Sequence, residues 1–137
     1  MDNAEKKAYL RRYLEAEKKV RRLKDEIEAE HAAYMSIKGL AYDDMPHASG
    51  GRITDISDML VKIEKLVNQL GREVDQQYAI RKEIRKRIEA VDTENERSVL
   101  YYRYIRGCTW EWIAERMHLD VRWIHRIHGK ALAHFSI

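Results

Sequence analysis

The chain of 137 residues holds one cysteine, one proline, one phenylalanine and six glycines. A lone thiol, Cys108, excludes a disulfide framework within the chain and fits a reducing compartment. Few prolines and glycines exclude a loop-rich architecture and favour long helices. No apolar run approaches the roughly 20 residues that a bilayer span needs. The opening stretch MDNAEKKAYLRRYLEAEKK lacks the apolar core of a signal peptide. The expectation is a cytoplasmic protein with no membrane partner. Also missing are a glycine-rich phosphate loop, a catalytic triad and spaced metal ligands, so no catalytic residue, cofactor or metal site is expected, and the chain does not read as an enzyme.

What is present is charge. Acidic and basic residues make up 36% of the chain, and the net charge is only +3. Such a composition leaves a thin core and long polar helix flanks. The distribution carries more than the total. Residues 97–137 hold seven Arg or Lys (Arg97, Arg103, Arg106, Arg116, Arg122, Arg126, Lys130) against three acids, Glu111, Glu115 and Asp120. Four of the six histidines lie there too. A basic end on a balanced body points to a polyanionic partner.

Residues 2–38 run without Gly or Pro and repeat apolar side chains at steps of three and four: Tyr13, Ala16, Val20, Leu23, Ile27, Tyr34 and Ile37. This is a narrow heptad seam. Gly39 is a natural helix terminator, and residues 39–52 contain Pro46 and Gly50-Gly51, which marks a linker. A second long helix is predicted over 54–91, capped by Thr54 or Asp55. Its seam reads Ile56, Leu60, Ile63, Val67, Leu70, Val74, Gln77, Arg81, Ile84, Ile88 and Val91. Two such stripes should form a long, coiled-coil-like antiparallel hairpin spanning 1–91. Leu66 and Ile80 are left over and can meet a second copy, so a homodimer through the long helices is one expectation.

From 92 to 137 the elements shorten and caps recur. Asp92 or Thr93 opens one helix that ends near Arg106-Gly107, Thr109 caps a second, and Asp120 caps a third running to about His134. A helix-turn-helix needs a small residue where its two helices cross, and Ala114 supplies it. It needs a tight turn, and His118-Leu119 supplies that. The last helix needs apolar residues on its inner side alone, met by Ile124, Ile127, Ala131 and Leu132. Its other side carries Arg122, Trp123, His125, Arg126 and Lys130. The fold expected is all-α, a helical hairpin followed by a three-helix helix-turn-helix domain at 92–137.

Tyr104-Ile105, Gly107, Thr109, Ile113-Ala114, Leu119 and the run Ile124 to Leu132 resemble region 4 of sigma-70-type factors. More closely, YYRYIRGCTWEWIAERMHL and RIHGKAL, with Tyr42–Pro46 and Ser49–Gly51 between the long helices, resemble a phage and prophage family of unknown function found beside ArpU/RinA-type late-gene regulators. The resemblance implies a sequence-specific transcription regulator that binds double-stranded DNA, with RNA polymerase as a further partner. Asp120 and Val121 stand where sigma factors usually have Ser and Arg, so their promoter element does not carry over. In the mechanism implied, helix 120–134 enters the major groove. Arg122, Trp123 and Arg126 meet base edges, while Thr109, Arg103, Arg106, Arg116, His125 and Lys130 meet phosphates.

Plainer readings stand beside this one. The C-terminal helices can form a structural bundle, with the whole chain an adaptor that binds RNA polymerase or a phage component through its long helices. His125 and His128 read as polar surface histidines. RKEIRKR at 81–87 reads as a solvated helix face, and Asp43-Asp44 as turn residues. Trp110 reads as core, and Cys108 has no base placed to activate it.

Overall fold

The computed structural model describes residues 1–43 and 50–137, and the side chains outside 40–54. Within them every regular element is a helix: α1 (Asn3–Asp43), α2 (Gly50–Glu89), α3 (Glu94–Leu100) continued by a π-helical turn (Tyr101–Ile105), α4 (Trp110–Met117) and α5 (Val121–His134). The all-α expectation, a long antiparallel helix pair followed by a helical C-terminal part, is met.

Two helix boundaries differ from expectation. α1 passes through Gly39 to Asp43, and α2 starts at Gly50, which puts Thr54 and Asp55 inside it. Glycine inside a helix costs about 1 kcal/mol relative to alanine. It ends the helix only where the backbone turns left-handed, and among the described glycines only Gly107 has positive φ. The rest of the expected linker, residues 44–49 with Asp44 and Pro46, lies outside the described residues.

The chain divides into two compact units, residues 18–75 and residues 1–17 with 76–137. In the first, the inward positions of α2 are 56, 59, 63, 66, 70 and 73, and those of α1 are 20, 23, 27, 30, 34 and 37. Steps of three and four alternate along both helices, so each keeps one narrow stripe toward the other. Val20, Leu23 and Leu66 are buried there. Lys19 pairs with Glu73 at 3.0 Å and Lys62 with Glu30 at 2.9 Å. An advance of eleven residues along α1 meets a retreat of eleven along α2, the signature of antiparallel pairing.

This register corrects the expected α2 seam. Leu60, Val67 and Val74 face outward, 46%, 48% and 40% exposed, whereas Leu66 and Ile80 are buried within the chain rather than left for a second copy. Both stripes share Ile56, Ile63 and Leu70 and differ only in which flanking side chain joins them. The stripe in use takes in Glu73, whose carboxylate is met by Lys19.

In the second unit the start of α1 and the end of α2 enclose a core with the C-terminal helices: Leu10, Ile80, Ile84, Ile88, Val91, Leu100, Tyr104, Ala131, Leu132 and Phe135. Lys6 Nζ donates to the Leu132 carbonyl at 2.7 Å, and the Tyr9 hydroxyl lies 2.7 Å from a Glu83 carboxylate oxygen. A second core of Val99, Ile113, Ala114, Ile124 and Ile127 joins α3, α4 and α5.

Candidate nucleic-acid interface

The geometry of α4 and α5 is set by local chemistry at their ends. The Arg106 N–H bonds the Tyr101 carbonyl at 3.1 Å, and the Cys108 N–H bonds the Tyr102 carbonyl at 2.9 Å. The chain reverses between them at Gly107, φ +67°. A Cβ at Gly107 would sit 3.4 Å from a Leu14 methyl, so the turn also rests against α1. The Thr109 hydroxyl then accepts the Trp112 N–H at 3.1 Å and opens α4. α4 closes in a Schellman turn: the Leu119 N–H reaches back to the Ala114 carbonyl at 3.0 Å, with His118 left-handed at φ 57°, ψ 42°. Two residues on, the Asp120 carboxylate accepts the Arg122 N–H at 3.3 Å and opens α5. Cap, turn and cap lie where the spacing of Thr109, His118-Leu119 and Asp120 placed them.

α5 is divided sharply by side. Ile124, Ile127, Ala131 and Leu132 are buried, and Ala114 at the crossing with α4 is 5% exposed. Arg122, Trp123, His125, Arg126 and Lys130 are exposed on the other side. The Arg126 guanidinium carbon lies 5.4 Å from the centre of the Trp123 ring, within cation–π reach on the helix surface. Among the described residues the side chains of Arg116, Arg122 and Lys130 make no ion pair, hydrogen bond or ring contact. The Trp123–Arg126 pair also separates two hollows. One, about 490 Å³, is lined by His118, Leu119, Asp120 and Arg122; the other, about 830 Å³, by Thr93, Asn95, Glu96, Ile127 and Lys130. The outward side of α5 thus carries its cations between two hollows.

The remaining cations are placed differently from one another. Arg106 is exposed and lies over the rings of Trp112 and Tyr102, at 5.2 and 5.9 Å. Arg103 turns into the fold: it donates to the Cys108 carbonyl at 3.0 Å, and its guanidinium lies 4.3 Å from the centre of the Trp110 ring. Trp110 is half-buried, packed between the His125 and His128 rings at 4.8 and 4.7 Å. Trp112 is 37% exposed.

His128 is not a surface histidine. It is 7% exposed, and its Nε2 lies 2.7 Å from the Tyr104 hydroxyl. Burial, then the positive charges of Lys7, Arg103, His125 and Arg11, push its pKa down to about 4. The ring is neutral at pH 7 and shares one hydrogen bond with the Tyr104 hydroxyl. Burial also raises the Tyr104 phenol above its ordinary value. Glu96, 4% exposed, meets His134 Nδ1 at 2.8 Å and ties α3 to the end of α5. Neither pair was legible in the sequence, because 24 and 38 residues separate the partners and no local spacing announces them. Among the described residues no three His, Cys, Asp or Glu side chains gather around a metal-sized point, and no helix is long and apolar enough to cross a membrane.

In comparison with protein families, residues 93–135 fit the model of Sigma-70, region 4. Neither the curated proteins nor the solved structures contain a significant match to this chain. The match begins at the N-cap of α3 and ends just past α5, so it covers the helix-turn-helix and leaves the helix pair before residue 93 outside. The C-terminal part is a helix-turn-helix similar to a DNA-binding domain.

Proposed function

We propose that this protein is a sequence-specific, double-stranded-DNA-binding transcription regulator of phage or prophage type, and that α5 reads the major groove. One observation carries the reading: the outward side of α5 is a cationic ridge with unpaired arginine and lysine, held rigid by the aliphatic core beneath it. A polyanion with a groove about as wide as a helix is the partner such a ridge fits. Arg122 and Arg126 meet base edges, each fork able to grip a guanine, and Trp123 presses beside them. Arg106, Arg116 and Lys130 meet phosphates, as does the start of α4, where Thr109 holds the Trp112 N–H and the preceding N–H groups have no partner within the helix. His125 contributes from the edge of this surface, its ring braced on Trp110, while Arg103, expected at a phosphate, spends its fork on the Cys108 carbonyl and the Trp110 ring. The functional head is the segment 92–137, and the hairpin 1–91 carries it, its coiled-coil-like stripe serving as scaffold. The likeness to Sigma-70, region 4 supports a cytoplasmic site of action and contact with RNA polymerase.

The test is selection of bound duplexes from a random pool, followed by titration of the winner. Wild-type protein should enrich one motif and bind it with steep salt dependence. Arg122→Ala with Arg126→Ala should cost at least about 30-fold in affinity for that motif, since each bidentate contact discriminates by about 1–3 kcal/mol. Unchanged affinity in the double variant, with the helical spectrum intact, would refute the reading.

A second reading has an observation of its own. Leu60, Val67 and Val74 recur every seven residues on the outside of α2 and are 40–48% exposed. That period suits another helix, from a second copy in a homodimer or from a partner protein, and makes the chain an adaptor. A complex that survives the double arginine variant but is lost in Leu60→Ser with Val67→Ser would favour it.

A further inference from the structure

Resting on the DNA-binding reading, we infer that Trp123 and Arg126 act as one unit that selects a guanine next to a base pair bearing a thymine-type 5-methyl group. The inference starts from the cation–π contact of the two side chains. The Arg126 guanidinium carbon lies 5.4 Å from the Trp123 ring centre, and both residues are exposed on the ridge of α5. No acidic side chain among the described residues pairs with either. An arginine that rests its face on an aromatic ring keeps its N–H groups free, because they point outward in the plane of the guanidinium. The ring therefore orients the fork without consuming it.

That orientation has a consequence for what lies beside the guanine. A fork bonded to the O6 and N7 of a guanine is coplanar with that base. Its two faces then look toward the neighbouring base-pair levels, roughly 3.4 Å along the axis. A ring held on one face occupies the major groove at the adjacent level. In that groove the bases present donors, acceptors and a single apolar group, the 5-methyl of thymine. The face of an indole offers no ordinary hydrogen-bond partner to the polar edges it would cover, so that face gains most where the methyl stands.

The experiment uses the full chain and the duplex enriched by random selection. The thymine beside the guanine protected by the protein is replaced by deoxyuridine, which removes the methyl and leaves base pairing unchanged. Wild type should lose about 4-fold in affinity, the worth of one methyl buried on an apolar face. Deoxycytidine and 5-methyldeoxycytidine at the same place, paired with guanine, should differ in the same sense, with the methylated duplex binding more tightly. In Trp123→Ala the methyl effect should vanish and the preference for guanine should weaken but remain; in Arg126→Ala the preference for guanine should be lost. Equal binding of the thymine and deoxyuridine duplexes by wild type would overturn this inference and leave DNA binding standing. A methyl effect that survives in Trp123→Ala would overturn it as well. Failure of the protein to bind any duplex would overturn both readings.

Discussion

The buried pair of Tyr104 and His128 makes stability depend on pH in a direction and by an amount that follow from its surroundings. His128 lies between α3's continuation and Trp110, 7% exposed, with a folded pKa of about 4 against an ordinary 6.5. The unfolded chain binds the imidazole proton near pH 6.5, and the folded chain only near pH 4. Between those values the unfolded state holds more protons, so lowering the pH favours unfolding. The contribution is fully present above pH 6.5, drains away as pH falls from 6.5 to 4, and changes little below that. The full gap amounts to about 3 kcal/mol, of which about 2 kcal/mol is lost between pH 7.5 and pH 5. Other groups titrate in the same interval, so the measurement is comparative. Urea melts followed by circular dichroism at pH 7.5, 6.5, 5.5 and 5 would be run on wild type and on His128→Gln. The glutamine variant should be weaker at pH 7.5 by about 1–2 kcal/mol, through lost packing and a poorer partner for Tyr104. Between pH 7.5 and 5 wild type should lose about 2 kcal/mol more than the variant does. Parallel losses in the two proteins would show that His128 titrates normally, and would refute the account of a neutral imidazole buried against Tyr104.

Two turn positions should respond in opposite directions. His118 closes α4 with φ 57°, where a side chain costs about 1–2 kcal/mol, so His118→Gly should raise stability by about 0.5–1 kcal/mol in thermal melts. Gly107 sits at φ +67° with Leu14 against it, so Gly107→Ala should lower stability by about 1–2 kcal/mol, and no change would deny the tight turn before α4. The register of α2 is tested by Leu66→Ala against Leu60→Ala. The buried site should cost about 2–4 kcal/mol and the outward one under 1 kcal/mol, and the reverse order would restore the rejected stripe.

The helix-turn-helix could be read directly from the chain. Thr109 and Asp120 cap because a short side-chain oxygen two or three residues before a free N–H is a local fact. Ile124, Ile127, Ala131 and Leu132 share one side of α5 because helical periodicity puts them there. The exposure of Arg122, Trp123 and Arg126 follows from the same periodicity. Sequence alone also dictated two long helices, since charge and heptad spacing run through residues 2–38 and 54–91.

Tertiary structure decided the rest, wherever two local answers were nearly equal or a partner lay far along the chain. On α2 the stripes through Leu66 and through Val67 share half their members, and only pairing with α1, where Lys19 meets Glu73, selects between them. Gly39 and Gly50 can sit in a helix or end it, and α1 and α2 incorporate both. His128 reads as polar until Tyr104 reaches it across 24 residues and burial makes it neutral. Arg103 and Arg106 look alike in the sequence, yet one bonds a carbonyl inside its own turn and the other lies exposed over Trp112. Periodicity and capping depend on neighbours within one helical turn, so they are written locally. Burial, charge state and the use of a cation depend on what the fold brings from a distance.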